Sequence, residues 1–149
     1  MGYYLTVLLV IFFDQLSKLW VIRHLKIGET KEVLSHFLYL TLLYNKGTAF
    51  GIVKEVSLAI VLFSTLLVVG FLIYSKLNKK ETLIFMLGLS FICGGALGNL
   101  VDRIRWGYVI DFVDIKIWPV FNLADSFITI GVGLIIVDMI LRRKGQENA

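Results

Sequence analysis

The sequence has few of the residue types on which several classes of site depend. Its one cysteine, Cys93, lies in an apolar run beside Gly94 and Gly95, so the chain has no disulfide framework and no paired-cysteine metal or redox motif. It has only two histidines, His24 and His36, and no HExxH motif, which argues against a zincin-type metal site. We therefore expect no metal and no other cofactor.

Charged residues are also scarce, and their arrangement argues against nucleic-acid binding. Asp, Glu, Lys and Arg make up 17% of the 149 residues, and the net charge is only +4. The basic residues lie at the ends of apolar segments and do not form a groove with interleaved aromatic side chains. Such flanking positions are typical of a membrane protein.

Hydrophobic residues make up 58% of the chain, and the mean hydropathy is +0.83. The first apolar run is about as long as the core of a secretory signal peptide, but no basic residue precedes it and no cleavage site follows, so we expect it to be retained. No repeat or flexible linker divides the chain, which predicts one domain over residues 1–149. Since a bilayer-spanning helix needs about 20 residues, the sequence predicts four spans: roughly Tyr4–Ile22, Val56–Tyr74, Leu83–Leu100 and Ala124–Leu141.

A shorter apolar and aromatic stretch, Phe37–Tyr44, lies between the first and second spans. It is too short to cross a bilayer, and its aromatic residues favour a β-strand. The sequence thus predicts a mainly α membrane protein with four transmembrane helices. A small extracytoplasmic β platform is expected between helices 1 and 2.

Four spans place both termini on one side of the membrane. The two loops on the opposite side contain eight Lys and Arg residues, spread thinly along the sequence. Under the positive-inside rule, two denser basic clusters mark the side of the termini as cytoplasmic: Lys76, Lys79 and Lys80, and Arg142, Arg143 and Lys144.

Carboxylates close to these apolar segments are the candidate functional groups, because an ionised acid beside hydrocarbon is costly unless it is paired or hydrated. Asp111 and Asp125 lie at the two ends of the loop between the third and fourth spans. Taken separately, Asp111 is interpreted as a solvated loop acid and Asp125 as a helix cap. With Asn122 close by and the loop turning at Pro119, the two carboxylates can meet face to face.

Two adjacent carboxylates share a proton, so that one activates a water molecule while the other polarises a carbonyl group, as in aspartic proteases. The spacing therefore predicts peptide hydrolysis without a covalent intermediate. Asp114 is an alternative to Asp111 in such a pair, and the spacing alone leaves that choice open.

Other polar residues have structural interpretations beside the functional ones. Asp14 and Lys18 are four residues apart and share a helical face, where they neutralise each other or hold a substrate head group. Asn99, Asp102 and Arg103 lie within one helical turn, and Asp102 is expected to pair with Arg103 or with another segment. A structural pair is also expected between Asp138 and Arg142, and close helix approach at Gly94, Gly95 and Gly98.

Five stretches together match a known family: DQLSK at 14–18, NKGTAFG at 45–51, GGALGNLVDR at 94–103, VIDF at 109–112 and FNLADS at 121–126. They resemble the bacterial lipoprotein signal peptidases, also called signal peptidase II. The resemblance implies an aspartyl endopeptidase that removes the signal peptide from diacylglyceryl-modified prolipoproteins, cutting on the N-terminal side of the lipidated cysteine. It also implies inhibition by globomycin-type peptides and a place in the bacterial inner membrane, with the active site near the outer face.

The resemblance assigns the catalytic pair to Asp111 and Asp125. Thirteen residues separate them, and we expect so short a connection to alter how the site is covered. The partners are then prolipoprotein substrates and membrane lipid, and the small single core favours a monomer. The residues expected to line or support the substrate site are Asn45, Asn99, Arg103, Asn122, Asp14, Lys18 and Asp102.

Two other classes of protein are alternatives. Intramembrane acids also serve as proton relays in small carriers, but here they cluster near one interface, and no broken helices mark a midplane site. A non-enzymatic scaffold would use its polar residues only to hold helices together. A presenilin-like protease is disfavoured because its GxGD motif is missing. Cleavage that is lost in Asp111→Asn would separate the enzyme from the scaffold.

Overall fold

The computed structural model describes residues 2–47, 53–78 and 81–147, with the side chains of 53–61 and 144–147 excepted. Its fold is mainly helical, with one small sheet. Chain order places the sheet where α1 and α3 end and α4 begins. The elements are α1 (Gly2–His24), β1 (Thr30–Leu34), β2 (Leu38–Asn45), α2 (Val53–Leu77), α3 (Leu83–Trp106), β3 (Val109–Asp114) and α4 (Leu123–Glu147).

Three helices are long and apolar enough to cross a membrane: Gly2–His24, Leu83–Trp106 and Leu123–Arg143. In α2 the stretch with described side chains, Leu62–Leu77, is shorter than a span. The outward faces are nonetheless apolar, since Leu8 of α1 is 63% exposed and Leu66 of α2 is 69% exposed. Helices with apolar side chains on their outer surface suit lipid as their solvent.

Helix α3 is central and packs against α1, α2 and α4. Its glycines let the neighbouring backbones approach closely. A Cβ atom on Gly95 would lie 2.5 Å from the Ala124 carbonyl oxygen of α4, and one on Gly94 would lie 2.7 Å from Val10 Cβ of α1. The predicted role of these glycines in close helix packing is confirmed.

Helix α3 extends beyond its predicted end at Leu100. It continues to Trp106 and ends at Gly107, which adopts a left-handed conformation (φ 76°) and donates its N–H to the Arg103 carbonyl oxygen. The hydropathy pattern predicts an earlier end of the helix because Asn99 and Asp102 are polar. Both side chains are buried against polar partners within the protein, so the helix continues through them.

The sheet is antiparallel, with strand order β1-β2-β3. The strand predicted in Phe37–Tyr44 is confirmed as β2, but the sheet is not built only from the segment between helices 1 and 2. Strand β3 follows α3 and forms one edge of the sheet. Its Ile110 and Phe112 pack with Leu42 of β2 and with Val21 of α1 in a buried cluster. The sheet thus joins both segments that connect helices at this end.

Ion pairs and hydrogen bonds tie the opposite end of the helices together. The predicted pair of Asp138 and Arg142 is confirmed, with 2.6 Å between Arg142 Nε and Asp138 Oδ2. Arg142 also pairs with Glu81, just before α3. The tyrosine hydroxyl of Tyr4 in α1 lies 2.9 Å from Ser75 Oγ in α2. In the basic cluster predicted after the second span, Lys79 and Lys80 lie outside the described residues.

The close contact between α3 and α4 predicts that one added methyl group at this contact lowers the stability of the protein. A Cβ atom on Gly131 would lie 2.6 Å from the Gly88 carbonyl oxygen, whereas a Cβ atom on Gly133 meets no atom within 4 Å. We expect Gly131→Ala to lower the free energy of unfolding by about 1–3 kcal/mol, as other overpacking substitutions do. SDS titration of the protein in mixed micelles measures this loss.

Gly133→Ala, on the same helix, is the matched control and is expected to be neutral or slightly stabilising, because alanine favours helix more than glycine does. Equal stability of the two variants would contradict the close α3–α4 approach.

Candidate active site

The structure brings Asp111 and Asp125 together around one asparagine. Asn122 Nδ2 donates a hydrogen bond to Asp111 Oδ1 (2.7 Å). The backbone N–H of Asn122 donates to Asp125 Oδ2 (3.2 Å), and the backbone N–H of Asp125 donates to Asn122 Oδ1 (2.9 Å). Asn122 is fully buried, so these contacts replace water on both carboxylates.

The local sequence explains this arrangement. Asn122 precedes α4 and Asp125 lies three residues later, which is the spacing of a capping box, and their reciprocal hydrogen bonds have that geometry. The structural interpretation of Asp125 as a helix cap is therefore right, and the same carboxylate also faces the site. The short loop before it is closed by Phe121, whose carbonyl oxygen accepts from the N–H groups of Phe112 (2.9 Å) and Val113 (2.7 Å).

Asp111 lies in β3, where its side chain is only 3% exposed. Its second oxygen, Oδ2, accepts a hydrogen bond from Asn45 Nδ2 of β2 (2.8 Å). Burial raises the pKa of Asp111 to about 6, and the charge of Asp125 raises it as well, whereas the hydrogen bonds from Asn45 and Asn122 lower it. Asp111 therefore holds a proton more readily than an ordinary aspartate does.

Asp125 has different surroundings. Its Oδ1 accepts a hydrogen bond from Asn99 Nδ2 of α3 (2.8 Å), and it lies in the first turn of α4, where the helix dipole is positive. The guanidinium charge of Arg103 also interacts with Asp125. Arg103 is held over α3 by a hydrogen bond from its Nη1 to the Asn99 carbonyl oxygen (3.3 Å). All of these groups face Asp125 with positive charge or hydrogen-bond donors.

A buried lysine determines how Asn99 is oriented. Lys18, 1% exposed, places its Nζ 2.8 Å from Asp14 Oδ2, 2.8 Å from Asp102 Oδ2 and 3.0 Å from Asn99 Oδ1. The predicted Asp14–Lys18 pair is confirmed, and Asp102 pairs with another segment, one of the two expected arrangements. Because an ammonium group only donates hydrogen bonds, the Asn99 atom that faces it is the oxygen. The amide nitrogen of Asn99 is thereby directed at Asp125.

The two carboxylates around Lys18 also hold the elements that carry the candidate pair. Asp14 Oδ1 accepts from the backbone N–H of Ala124 in the first turn of α4 (2.9 Å). Asp102 Oδ2 accepts from the backbone N–H of Ile110 in β3 (3.2 Å). A Cβ atom on Gly98 would lie 2.5 Å from Asp14 Oδ2, so only glycine leaves room for that carboxylate.

Sequence reasoning missed Gln15 in this cluster. Gln15 Nε2 donates to Asp14 Oδ2 (3.1 Å), to Asp102 Oδ1 (2.9 Å) and to the Gly98 carbonyl oxygen (3.2 Å). One signal was present, since Gln15 lies within the DQLSK stretch and is polar in an apolar run. Its contacts with α3 become visible only once the helices are packed.

Asp114, the alternative to Asp111, has other partners. It accepts hydrogen bonds from Thr41 Oγ1 (2.8 Å) and from Lys116 Nζ (2.7 Å), and the bond from Lys116 holds its pKa below the usual value. Residues three apart in a strand point to opposite faces, which separates the side chain of Asp114 from that of Asp111.

Of the stretch 45–51, residues 48–51 lie outside the described residues. No group of three His, Cys, Asp or Glu side chains suited to a metal ion occurs in the described part of the chain.

The burial of Lys18 predicts a large effect of its removal. Lys18→Met would leave Asp14 and Asp102 as buried carboxylates without their cation, and breaking such a pair typically costs about 3–5 kcal/mol. We expect that loss in the free energy of unfolding, measured by SDS titration in micelles. Lys31→Met is the matched control, since Lys31 is 55% exposed in its ion pair with Glu29 and such pairs contribute little. Similar losses in both variants would contradict this account.

Comparison with known proteins identifies the family. The sequence profile described as signal peptidase (SPase) II matches residues 6–141. A lipoprotein signal peptidase from Halothermothrix orenii is 42% identical over 134 residues, which are 90% of this chain and 92% of that protein. One from Halalkalibacterium halodurans is 39% identical over the full length of both chains. A solved bacterial membrane enzyme, 32% identical, matches 97% of this chain and 90% of its own with a TM-score of 0.86. The chain therefore belongs to the signal peptidase II family of membrane aspartic peptidases.

Proposed function

We propose that this peptidase removes the signal peptide of diacylglyceryl-modified prolipoproteins with Asp111 and Asp125 as its catalytic pair. The reaction is supported by the family and by relatives named lipoprotein signal peptidase. The observation that carries the choice of residues is the contact of Asn122 with both carboxylates. The cut falls on the N-terminal side of the lipidated cysteine.

The two acids have different roles in this proposal. Asp111, buried in β3 and with a pKa of about 6, carries the proton that the pair shares. Asp125, which faces the amide of Asn99 and the positive end of α4, is the ionised partner. Asp125 is then the base and Asp111 the acid. This division rests on the different surroundings of the two carboxylates, which assign them different roles.

The chemistry then needs only water and the pair. Asp125 takes a proton from water as the water oxygen bonds to the scissile carbonyl carbon. At the same time, Asp111 gives its proton to the carbonyl oxygen. The tetrahedral intermediate collapses with cleavage of the C–N bond. The cysteine nitrogen receives the proton held by Asp125, and the hydroxyl proton of the intermediate returns to Asp111. Both acids end in their starting states.

The remaining site residues support the substrate and the pair. Asn45 and Asn99 each donate to one of the two acids, and Arg103 places a positive charge close to them. We assign these residues to the lining of the substrate site. Asn122 contacts both acids of the pair. The cluster of Lys18, Asp14 and Asp102 holds together the elements that carry them. A globomycin-type peptide would inhibit by occupying the same site.

The membrane arrangement is part of the proposal. We place four spans in the bacterial inner membrane, with α2 as the fourth beside the three long apolar helices. Both termini lie in the cytoplasm, next to the basic clusters around Lys76 and Arg142. The sheet and the catalytic pair then lie near the outer face, where water reaches the acids. We further propose one domain over residues 1–149, acting as a monomer.

Substitution of each acid tests the choice of residues. Asp111→Asn and Asp125→Asn remove the acid and the base, and general acid–base catalysis typically contributes at least about 100-fold. We expect kcat to fall by that factor or more with the fold retained. A gel-shift assay on purified protein in detergent, with one prolipoprotein carrying or lacking the diacylglyceryl group, measures cleavage.

Asp114→Asn is the matched control on the same strand and should cleave the lipidated substrate at the parent rate. A folded Asp111→Asn variant with parental activity, or loss of activity only in Asp114→Asn, would show that another carboxylate belongs to the pair. Absence of cleavage by the folded parent protein would overturn the function itself.

The pH dependence tests the roles of the two acids. If Asp111 must be protonated, kcat/KM is high below its pKa and falls as the pH rises through about 6. Asn45→Ala removes a hydrogen bond that lowers this pKa, so the fall should move to higher pH. Profiles for the parent and the variant, measured with one lipidated substrate, give the two values.

Thr41→Val is the control, because Thr41 donates to Asp114 and not to the catalytic pair. It should leave the profile where it was. A shift to lower pH in Asn45→Ala would contradict the assignment of the shared proton to Asp111.

A further inference from the structure

A cavity of about 380 Å³ lies directly beside Asp125. One wall is the loop between β3 and α4, and the other is the first two turns of α4. Besides Asp125, its lining residues are Ile115, Trp118, Phe121, Ser126, Thr129 and Ile130. The residues from α4 have the spacing of one helical face, so the cavity continues from the catalytic pair along the outside of that helix.

The two hydroxyl groups in this lining already donate their hydrogen bonds. Ser126 Oγ donates to the Asn122 carbonyl oxygen (3.1 Å), and Thr129 Oγ1 donates to the Asp125 carbonyl oxygen (2.9 Å). Both hydroxyl protons are therefore used within α4. An extended peptide would bring backbone N–H and C=O groups that need partners. The surface of the cavity suits hydrocarbon better than a peptide backbone.

The cavity is open to the surroundings of the helix. Trp118 is 68% exposed and Ile130 is 52% exposed. Ile130 lies five residues after Asp125, which is about 7.5 Å along the helix at 1.5 Å per residue. A flexible chain that starts beside Asp125 and passes Ile130 would thus run along a span, parallel to the surrounding lipid. Such a path allows entry and exit without desolvating polar groups.

We propose that this cavity, the acyl groove, holds an acyl chain of the substrate's diacylglyceryl group. The inference rests on the proposed function, in which the lipidated cysteine contributes the nitrogen of the scissile bond. The lipid is attached to the side chain of that same residue, so it must lie next to the catalytic pair. The acyl groove is an apolar cavity that meets Asp125 and leads away from it along α4.

Filling the acyl groove tests the proposal kinetically. Ile130→Trp narrows the part of the groove that a long acyl chain would occupy and that a short chain does not reach. We compare two peptides with the same sequence, one carrying S-dipalmitoylglyceryl-cysteine and the other S-dibutyrylglyceryl-cysteine. For the dipalmitoyl substrate, kcat/KM should fall by about tenfold through KM, which is a typical effect of altering one side chain of a hydrophobic pocket. For the dibutyryl substrate, kcat/KM should not change.

The matched control is Val132→Trp, which adds the same side chain to an exposed position of α4 (44%) outside the cavity lining. It should leave both substrates unaffected. Equal losses for both substrates in Ile130→Trp, or no loss for either, would overturn the proposal.

A binding readout separates this proposal from the proposed function. Asp111→Asn is incubated with the peptide carrying a palmitoyl chain that bears a photoreactive diazirine, and the cross-linked residues are identified by mass spectrometry. Cross-links at Trp118, Thr129 or Ile130 are expected. Cross-links confined to other helices, in a protein whose parent cleaves the substrate, would overturn the acyl groove alone. Cross-links in the groove without cleavage by the parent would retain the groove and overturn the function.

Discussion

The arrangement of the site depends on one buried cation. The Lys18 ammonium group in α1 is 1% exposed and contacts Asp14 on its own helix and Asp102 on α3. Through these carboxylates it is linked to the backbone N–H groups of Ala124 in α4 and Ile110 in β3. Three helices and a strand therefore meet at one charge. In an apolar environment each of these groups would be costly alone, so each depends on the others for its partners.

The same cluster gives the two acids of the proposed catalytic pair unequal surroundings. Lys18 accepts no hydrogen bond, which fixes the oxygen of Asn99 toward it and the nitrogen toward Asp125. Asp111 is reached from a different side, by amides of Asn45 and Asn122. An acid–base pair at neutral pH needs such a difference, since two identical environments would leave the shared proton evenly divided. In the proposed mechanism, an orientation set within the helices thus distinguishes the acid from the base.

Much of this fold can be predicted from local patterns. Long apolar runs indicate the helices, the aromatic stretch before Tyr44 indicates β2, and isolated acids in an apolar chain indicate the site. Patterns fail where tertiary pairing replaces water. Asn99 and Asp102 end the apolar run in sequence but continue α3 because their partners are on other elements. Strand β3 and the contacts of Gln15 depend on elements distant in sequence, which no local window contains.

The short connection between β3 and α4 ties the proposed reaction to its proposed lipid site. The backbone of Phe121 is hydrogen-bonded to β3, so the position of the next residue, Asn122, is tied to that strand. Within this length it must direct Asn122 to both acids and place Trp118 over the acyl groove. A lipid chain that packs against Trp118 would therefore contact the same loop that holds the proposed catalytic pair. Lipid attachment would then contribute to positioning the scissile bond, and not only to holding the substrate in the membrane.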